Sequence, residues 1–203
     1  MAVDVHPVSP EDALQRLKDG NARFLRGESH FPTVQTAVIE DLAQGQQPYA
    51  TILGCSDSRV PPELVFDAHL GELFIVRVAG NVLGPSVYGT LQYAGAHLKT
   101  PLFVVMGHEG CGAVQAALAW HFDGHRAKSR IELLLENIVP AIDAIDPNLP
   151  EDERMRAAVE ANVRHTLQVL LTTPEARANH ATSGIRLAGA IYDIKTGRVR
   201  FLE

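Results

Sequence analysis

Three short apolar runs, YATILGC (49–55), ELFIVRV (72–78) and PLFVVMGH (101–108), are separated by stretches of helical period, clearest over 86–98. Each run is rich in β-branched or aromatic residues and short enough for a buried strand. Strand–helix–strand alternation implies parallel strands joined by right-handed crossovers. The fold class expected is therefore α/β: a mainly parallel central sheet flanked by helices. In such open sheets ligands collect beyond the carboxyl ends of the strands. Two of these runs end in chemically loaded residues, GCSDSRV (54–60) and GHEGCGA (107–113).

The segments around these strands complete the architecture. Ser9 is a suitable N-cap and Pro10 a suitable first helical residue, with Asp12 placed like a capping-box partner, so a helix is expected from 10 to about 26. Leu14, Leu17, Asn21, Phe24 and Leu25 form its stripe, with a polar break at Asn21. This helix could clasp another subunit or lie on its own core. Beyond Cys111, CGAVQAALAWHF reads as a helix, and RIELLLENIVPAIDAI and EDERMRAAVEANVRHTLQVLL as two longer ones. IRLAGAIYDIKTGRVRFLE reads as a strand, a turn at 195–197 and a closing strand. One domain over 1–203 is expected, with an N-terminal helical arm (1–45), an α/β core (46–203) and a C-terminal strand pair.

Charge and composition remove several functions. A formal net charge of −6 argues against a nucleic-acid or anionic-membrane surface. No apolar run approaches the roughly 20 residues a transmembrane helix needs. The opening MAVDVHPVSPEDALQ has neither a basic stretch nor an apolar one of the kind that marks a secretory leader, so a cytoplasmic location is expected. In a reducing compartment, paired cysteines more often bind metal or react than cross-link.

Cys55 and Cys111 are the two cysteines of the chain. With His108, three residues before Cys111, they offer three of the four ligands that zinc takes in a tetrahedron; Asp57 is a possible fourth. If the chain stays extended past Cys55, then Cys55, Asp57 and Arg59 face one side. Gly110 and Gly112 allow a tight turn that converges His108 and Cys111. Three protein ligands plus water would make a catalytic site, and four side chains a closed one; spacing leaves both open. Two thiolates neutralise Zn²⁺, so bound water would be less acidified than in a three-histidine site. Arg59 is placed to hold Asp57 bidentately and keep it ionised. His6, His30, His69, His97, His121, His125, His165 and His180 have no ligand-like partners in sequence; one of them could shuttle protons.

CSDSR (55–59) together with GHEGCGAV (107–114) and GELFIVRVAGN (71–81) resembles the β-class carbonic anhydrases, most densely over 46–114. The resemblance implies one Zn²⁺ per chain on Cys55, His108 and Cys111, with Asp57–Arg59 as the catalytic dyad. It implies reversible hydration of CO₂ to bicarbonate and a proton by zinc-bound hydroxide, which the dyad orients. Gln46, Phe74, Tyr93 and the N–H of Gly112 match the family's substrate-pocket positions, Phe74 and Tyr93 reaching in from a partner subunit of a homodimer or dimer-based tetramer. Some members close at low pH by moving the aspartate onto zinc. A bicarbonate-regulated subset carries a tryptophan where this chain has Ile52, although Arg77 and Tyr192 match its other two positions; an open site is the expectation. Relatives acting on carbonyl sulfide or carbon disulfide could share every ligand, and a closed structural zinc or a bicarbonate sensor is the non-enzymatic alternative.

Overall fold

Alternating short β-branched runs and amphipathic stretches assemble into one five-stranded sheet with helices on both faces, seen in a computed structural model that describes residues 8–30, 36–126, 128–173 and 184–202. In chain order the elements are α1 (Pro10–Arg26), α2 (Thr36–Leu42), β1 (Ala50–Gly54), α3 (Pro62–Val65), β2 (Leu73–Arg77), α4 (Pro85–Tyr93), β3 (Leu102–His108), α5 (Gly112–Asp123), α6 (Ile131–Leu135), α7 (Val139–Ile142), α8 (Glu151–Thr172), β4 (Arg186–Tyr192) and β5 (Val199–Leu202). The spatial order is β2-β1-β3-β4-β5, parallel through β4, with β5 antiparallel at the edge. The expected mainly parallel sheet and C-terminal strand pair are both present.

β1 and β3 are central and buried along their whole length, which is why both read as unbroken apolar runs. Their side chains feed two cores. One, with Leu53, Val105, Ile138, Val159 and Val163, lies under α5, α7 and α8. The other, with Ile52, Val104, Met106 and Phe66, lies under α1 and α3. The register sets Gly54 of β1 beside Met106 of β3, so Cys55 and His108 leave the sheet at the same end.

Helix α1 lies on its own core, with Ala13, Leu14 and Leu17 buried against the sheet. Ser9 Oγ accepts the N–H of Asp12, and its hydroxyl donates to the Asp12 carboxylate. Two details of the expected stripe change. Leu25 is exposed, and Asn21 is buried at the centre of the contact. Asn21 Nδ2 donates to the carbonyls of Val65 (3.1 Å) and Gly197 (2.9 Å), and its Oδ1 accepts the N–H of Val199 (2.9 Å). The polar break is therefore the tie that joins α1 to α3 and the last turn. Gly20 completes the fit, because a methyl there would run into the carbonyl oxygen of Phe66.

The segment expected as a single helix over 130–145 is two short ones, α6 and α7. Pro140 has no N–H to continue the ladder, and Asn137 turns its side chain back to the carbonyl of Leu133 (2.8 Å). The helix expected over 86–98 ends as α4 and continues as one wide π-helical turn, Ala94–Leu98, closed by Lys99 in the left-handed conformation. His6 and His180 lie outside the described residues. No helix is long and apolar enough to cross a membrane among the described residues.

Candidate metal centre

Cys55 follows the last residue of β1, His108 ends β3, and Cys111 caps the start of α5. Between His108 and Cys111 the chain reverses through Gly110, whose φ of +65° is a conformation that favours glycine. This turn brings one ligand atom from each of Cys55, His108 and Cys111 within 4.8 Å of one another, all buried. It is the one such cluster among the described residues. The two sulfurs stand 3.9 Å apart as free thiols.

The imidazole is oriented for coordination. His108 Nδ1 is 3.0 Å from the carbonyl oxygen of Glu109, which makes it the N–H donor and leaves Nε2 with its lone pair bare. Nε2 is buried and has no hydrogen-bond partner. A buried lone pair facing two thiols suits a soft, tetrahedral cation such as zinc.

The thiols behave as one acid. Cys111 hydrogen-bonds to Cys55 and pulls it well below the ordinary thiol value, with the N–H of Gly80 adding to the effect. Cys111 is pushed up, first by its hydrogen bond to Cys55, then by burial and by the charge on Cys55. One proton leaves easily, and the second is held by the charge the first leaves behind. A divalent cation between the sulfurs removes that repulsion and lets both bind as thiolates.

Asp57 and Arg59 meet differently from the extended arrangement expected. β1 stops at Gly54, and residues 55–60 form a loop whose turn folds Arg59 back onto Asp57. Arg59 Nε donates to Asp57 Oδ1 (2.9 Å), Nη2 to Oδ2 (2.7 Å), and the Arg59 backbone N–H to Oδ1 (3.0 Å). These bonds hold the carboxyl well below the usual carboxylate range. Oδ2 of Asp57 lies 4.0 Å from His108 Nε2, beside the cluster but engaged by Arg59.

Two supports of this site were not visible as such in the sequence. Arg77, at the end of β2, donates from Nε to the carbonyl of Cys55 (2.9 Å) and from Nη2 to that of Asp57 (2.6 Å), which fixes the loop between them. The Gly80 N–H donates to Cys55 Sγ at 3.4 Å. Arg77 entered the sequence reading only as a match to a position of the bicarbonate-regulated subset, and nothing in sequence links Gly80 to the sulfur.

The other expected residues are placed as follows. Gly112 begins α5, and the space where a side chain would project from it is open. Gln46 is exposed in the loop before β1. Phe74 and Tyr93 pack with their rings tilted by 35° and centroids 6.2 Å apart, and Tyr93 is 47% exposed. Phe74 is in register with Thr51, four residues before Cys55, so about 13 Å of strand separates it from its own chain's cluster. The structure brings Cys55, His108, Cys111, Asp57 and Arg59 together, and leaves this aromatic pair elsewhere on the same chain.

Comparison with known proteins gives a consistent result. The family model described as carbonic anhydrase matches residues 50–199. Carbonic anhydrase 2 of Mycobacterium tuberculosis is 35% identical over 196 residues, covering 94% of this chain and 91% of that protein. The carbonic anhydrase of Mycolicibacterium smegmatis is 35% identical over 192 residues, covering 94% and 92%. Among solved structures, one from a study of two tetrameric β-carbonic anhydrases of Sordaria macrospora superposes with a TM-score of 0.74 at 27% identity, covering 95% of each chain. A β-carbonic anhydrase of Aspergillus fumigatus gives 0.76 at 27% identity, covering 95% of this chain and 90% of that one.

Proposed function

Since this chain belongs to the β-class carbonic anhydrases, we propose that it hydrates carbon dioxide reversibly at one zinc ion held by Cys55, His108 and Cys111. The observation that carries the zinc reading is the buried, unpartnered Nε2 of His108 turned toward two thiols. A zinc ion in that set supplies the Lewis acidity that ionises water near neutral pH.

The remaining chemistry belongs to the side chains around it. Asp57, kept ionised by Arg59, accepts a hydrogen bond from the O–H of the attacking nucleophile and turns its lone pair toward CO₂. The bidentate grip of Arg59 also restrains Asp57 from reaching the cluster, which supports an open site with room for water over a closed four-ligand one. The N–H of Gly112, at the positive end of the twelve-residue α5, is the donor proposed for the bicarbonate oxygen.

Gln46, Phe74 and Tyr93 are proposed as the walls of the CO₂ pocket, with the two aromatics serving a partner subunit's site. The separation of Phe74, on the edge strand β2, from its own cluster and the exposure of Tyr93 packed against it support this, as does the tetrameric assembly named for the Sordaria relatives. The same reading takes 1–203 as one domain with an arm over 1–45.

Stopped-flow CO₂ hydration from pH 6.5 to 9, with zinc measured on the same sample, tests the proposal. Hydration that rises with pH at one zinc per chain is expected. A fully zinc-loaded protein inert across that range would direct the search to sulfur analogues of CO₂, and full activity without metal would end the zinc reading.

A further inference from the structure

Gly80 is gripped from both sides. Its N–H donates to Cys55 Sγ at 3.4 Å, and its carbonyl oxygen accepts from Nδ2 of Asn162 at 2.8 Å. Asn162 belongs to α8, 82 residues further along the chain, and is 1% exposed. Which side-chain atom faces Gly80 is fixed by chemistry, because a carbonyl oxygen only accepts and Nδ2 is the donor. Its Oδ1 has no hydrogen-bond partner. A polar residue that is poor in helix interiors, on the stripe otherwise formed by Ala158, Val159, Val163, Thr166 and Leu170, spends one half of its amide on this bond and leaves the other unpaired.

Gly80 needs such an anchor. Its φ of +71° is open to glycine, and a methyl in its place would stand 2.7 Å from Ile138 Cδ1 and 3.1 Å from the Ala113 Cβ. A glycine that can take this conformation can also leave it. Holding the carbonyl of the 80–81 peptide fixes the twist at Gly80, and that twist aims the N–H of the preceding peptide at the sulfur.

We propose that Asn162 is a positioning residue of the metal centre, acting through the Gly80 peptide to hold an N–H on the Cys55 thiolate. The inference rests on the metal site proposed above. Hydrogen bonds to a ligand sulfur draw charge from it, so they set how strongly it donates to the metal and how firmly the ligand is held. Helix α8 is thereby coupled to a ligand that it does not touch through Asn162 itself.

Cobalt(II) substitution of the full chain tests this, with wild type, Asn162→Leu and Leu170→Ala compared. Leu170→Ala is a destabilising truncation lower on the same helix. The readouts are the thiolate-to-cobalt charge-transfer band, affinity against a competing chelator and melting temperature. Loss of the N–H···S bond raises the energy of the sulfur lone pairs. Asn162→Leu is expected to move the band to longer wavelength and weaken cobalt binding about 10-fold. Leu170→Ala is expected to lower the melting temperature and leave band and affinity unchanged.

No thiolate band in wild type would overturn the metal site and this inference with it. A normal wild-type band that stays in place in Asn162→Leu, with unchanged affinity, would overturn the role of Asn162 alone. If Asn162→Leu does not fold, cadmium-113-loaded wild type decides: a scalar coupling between the metal and the Gly80 amide proton supports the relay, and its absence overturns it.

Discussion

Asp57 has two oxygens and three donors from a single residue, so Arg59 determines what else it can do. An ionised carboxylate beside a dithiol cluster would otherwise be free to become a ligand. The guanidinium competes for it with two parallel charge-assisted bonds, a geometry that a lysine could not reproduce. Arg59→Ala is therefore expected to retain zinc and lose about 100-fold in kcat at pH 8, the lower end of what a positioned proton-accepting group contributes. Steady-state hydration kinetics with a zinc assay check it, and wild-type turnover would remove Asp57–Arg59 from the mechanism. The pair was legible in CSDSR because residue types two apart were enough to suggest it. Its true geometry was not, because the strand ends at Gly54 and a turn does the work that strand alternation was expected to do.

The elements that hold the site are legible in proportion to how apolar they are. β1 and β3 are legible as short apolar runs, and the residue types at their carboxyl ends already suggest a metal cluster there. Asn21 and Asn162 were hidden by the same logic, since periodicity counts a buried asparagine as a break in a stripe when it is the stripe's cross-link. The division between α6 and α7 did have a signal, Pro140 within an otherwise helical pattern. At the far side of α8 a surface network does the fastening: Glu160 accepts from Arg164 (2.7 Å) on its own helix and from Arg200 (2.8 Å) on β5. These bonds, that of Arg200 foremost, lower the pKa of its carboxyl from the ordinary glutamate value. A lowered value means stabilisation that is present above the unfolded pKa, near 4.3, and lost as pH falls through the folded one. Glu160→Gln should cost about 1 kcal/mol or less at pH 7, since the groups are partly solvated, and the deficit should be smaller at about pH 3, below the unfolded value. Urea denaturation at both pH values measures it.

At the scale of the whole molecule, the proposed role of the Phe74–Tyr93 pair, set apart from its own chain's metal cluster, would make function a property of the assembly. If the aromatics serve a neighbour's site, two defective chains repair one another. Cys55→Ser lacks a ligand but has its aromatics, whereas Phe74→Ala has its ligands but lacks a wall. In a mixed dimer one of the two sites then has every native part. Co-refolding the two variants is expected to give hydration above that of either alone, approaching half the wild-type rate per mixed dimer. Activity no greater than the average of the separate variants would put Phe74 to work in its own chain. The bonds from Asn21 to Gly197 and Val199 carry a different consequence, one of timing. They join parts of the chain more than 170 positions apart. A ribosome makes α1 long before it reaches Gly197 and Val199, the partners of the helix's central asparagine. The nascent chain thus holds this helix without those contacts while the residues between them are made, and a chaperone that shields apolar segments would find Leu14 and Leu17 on offer for that whole interval.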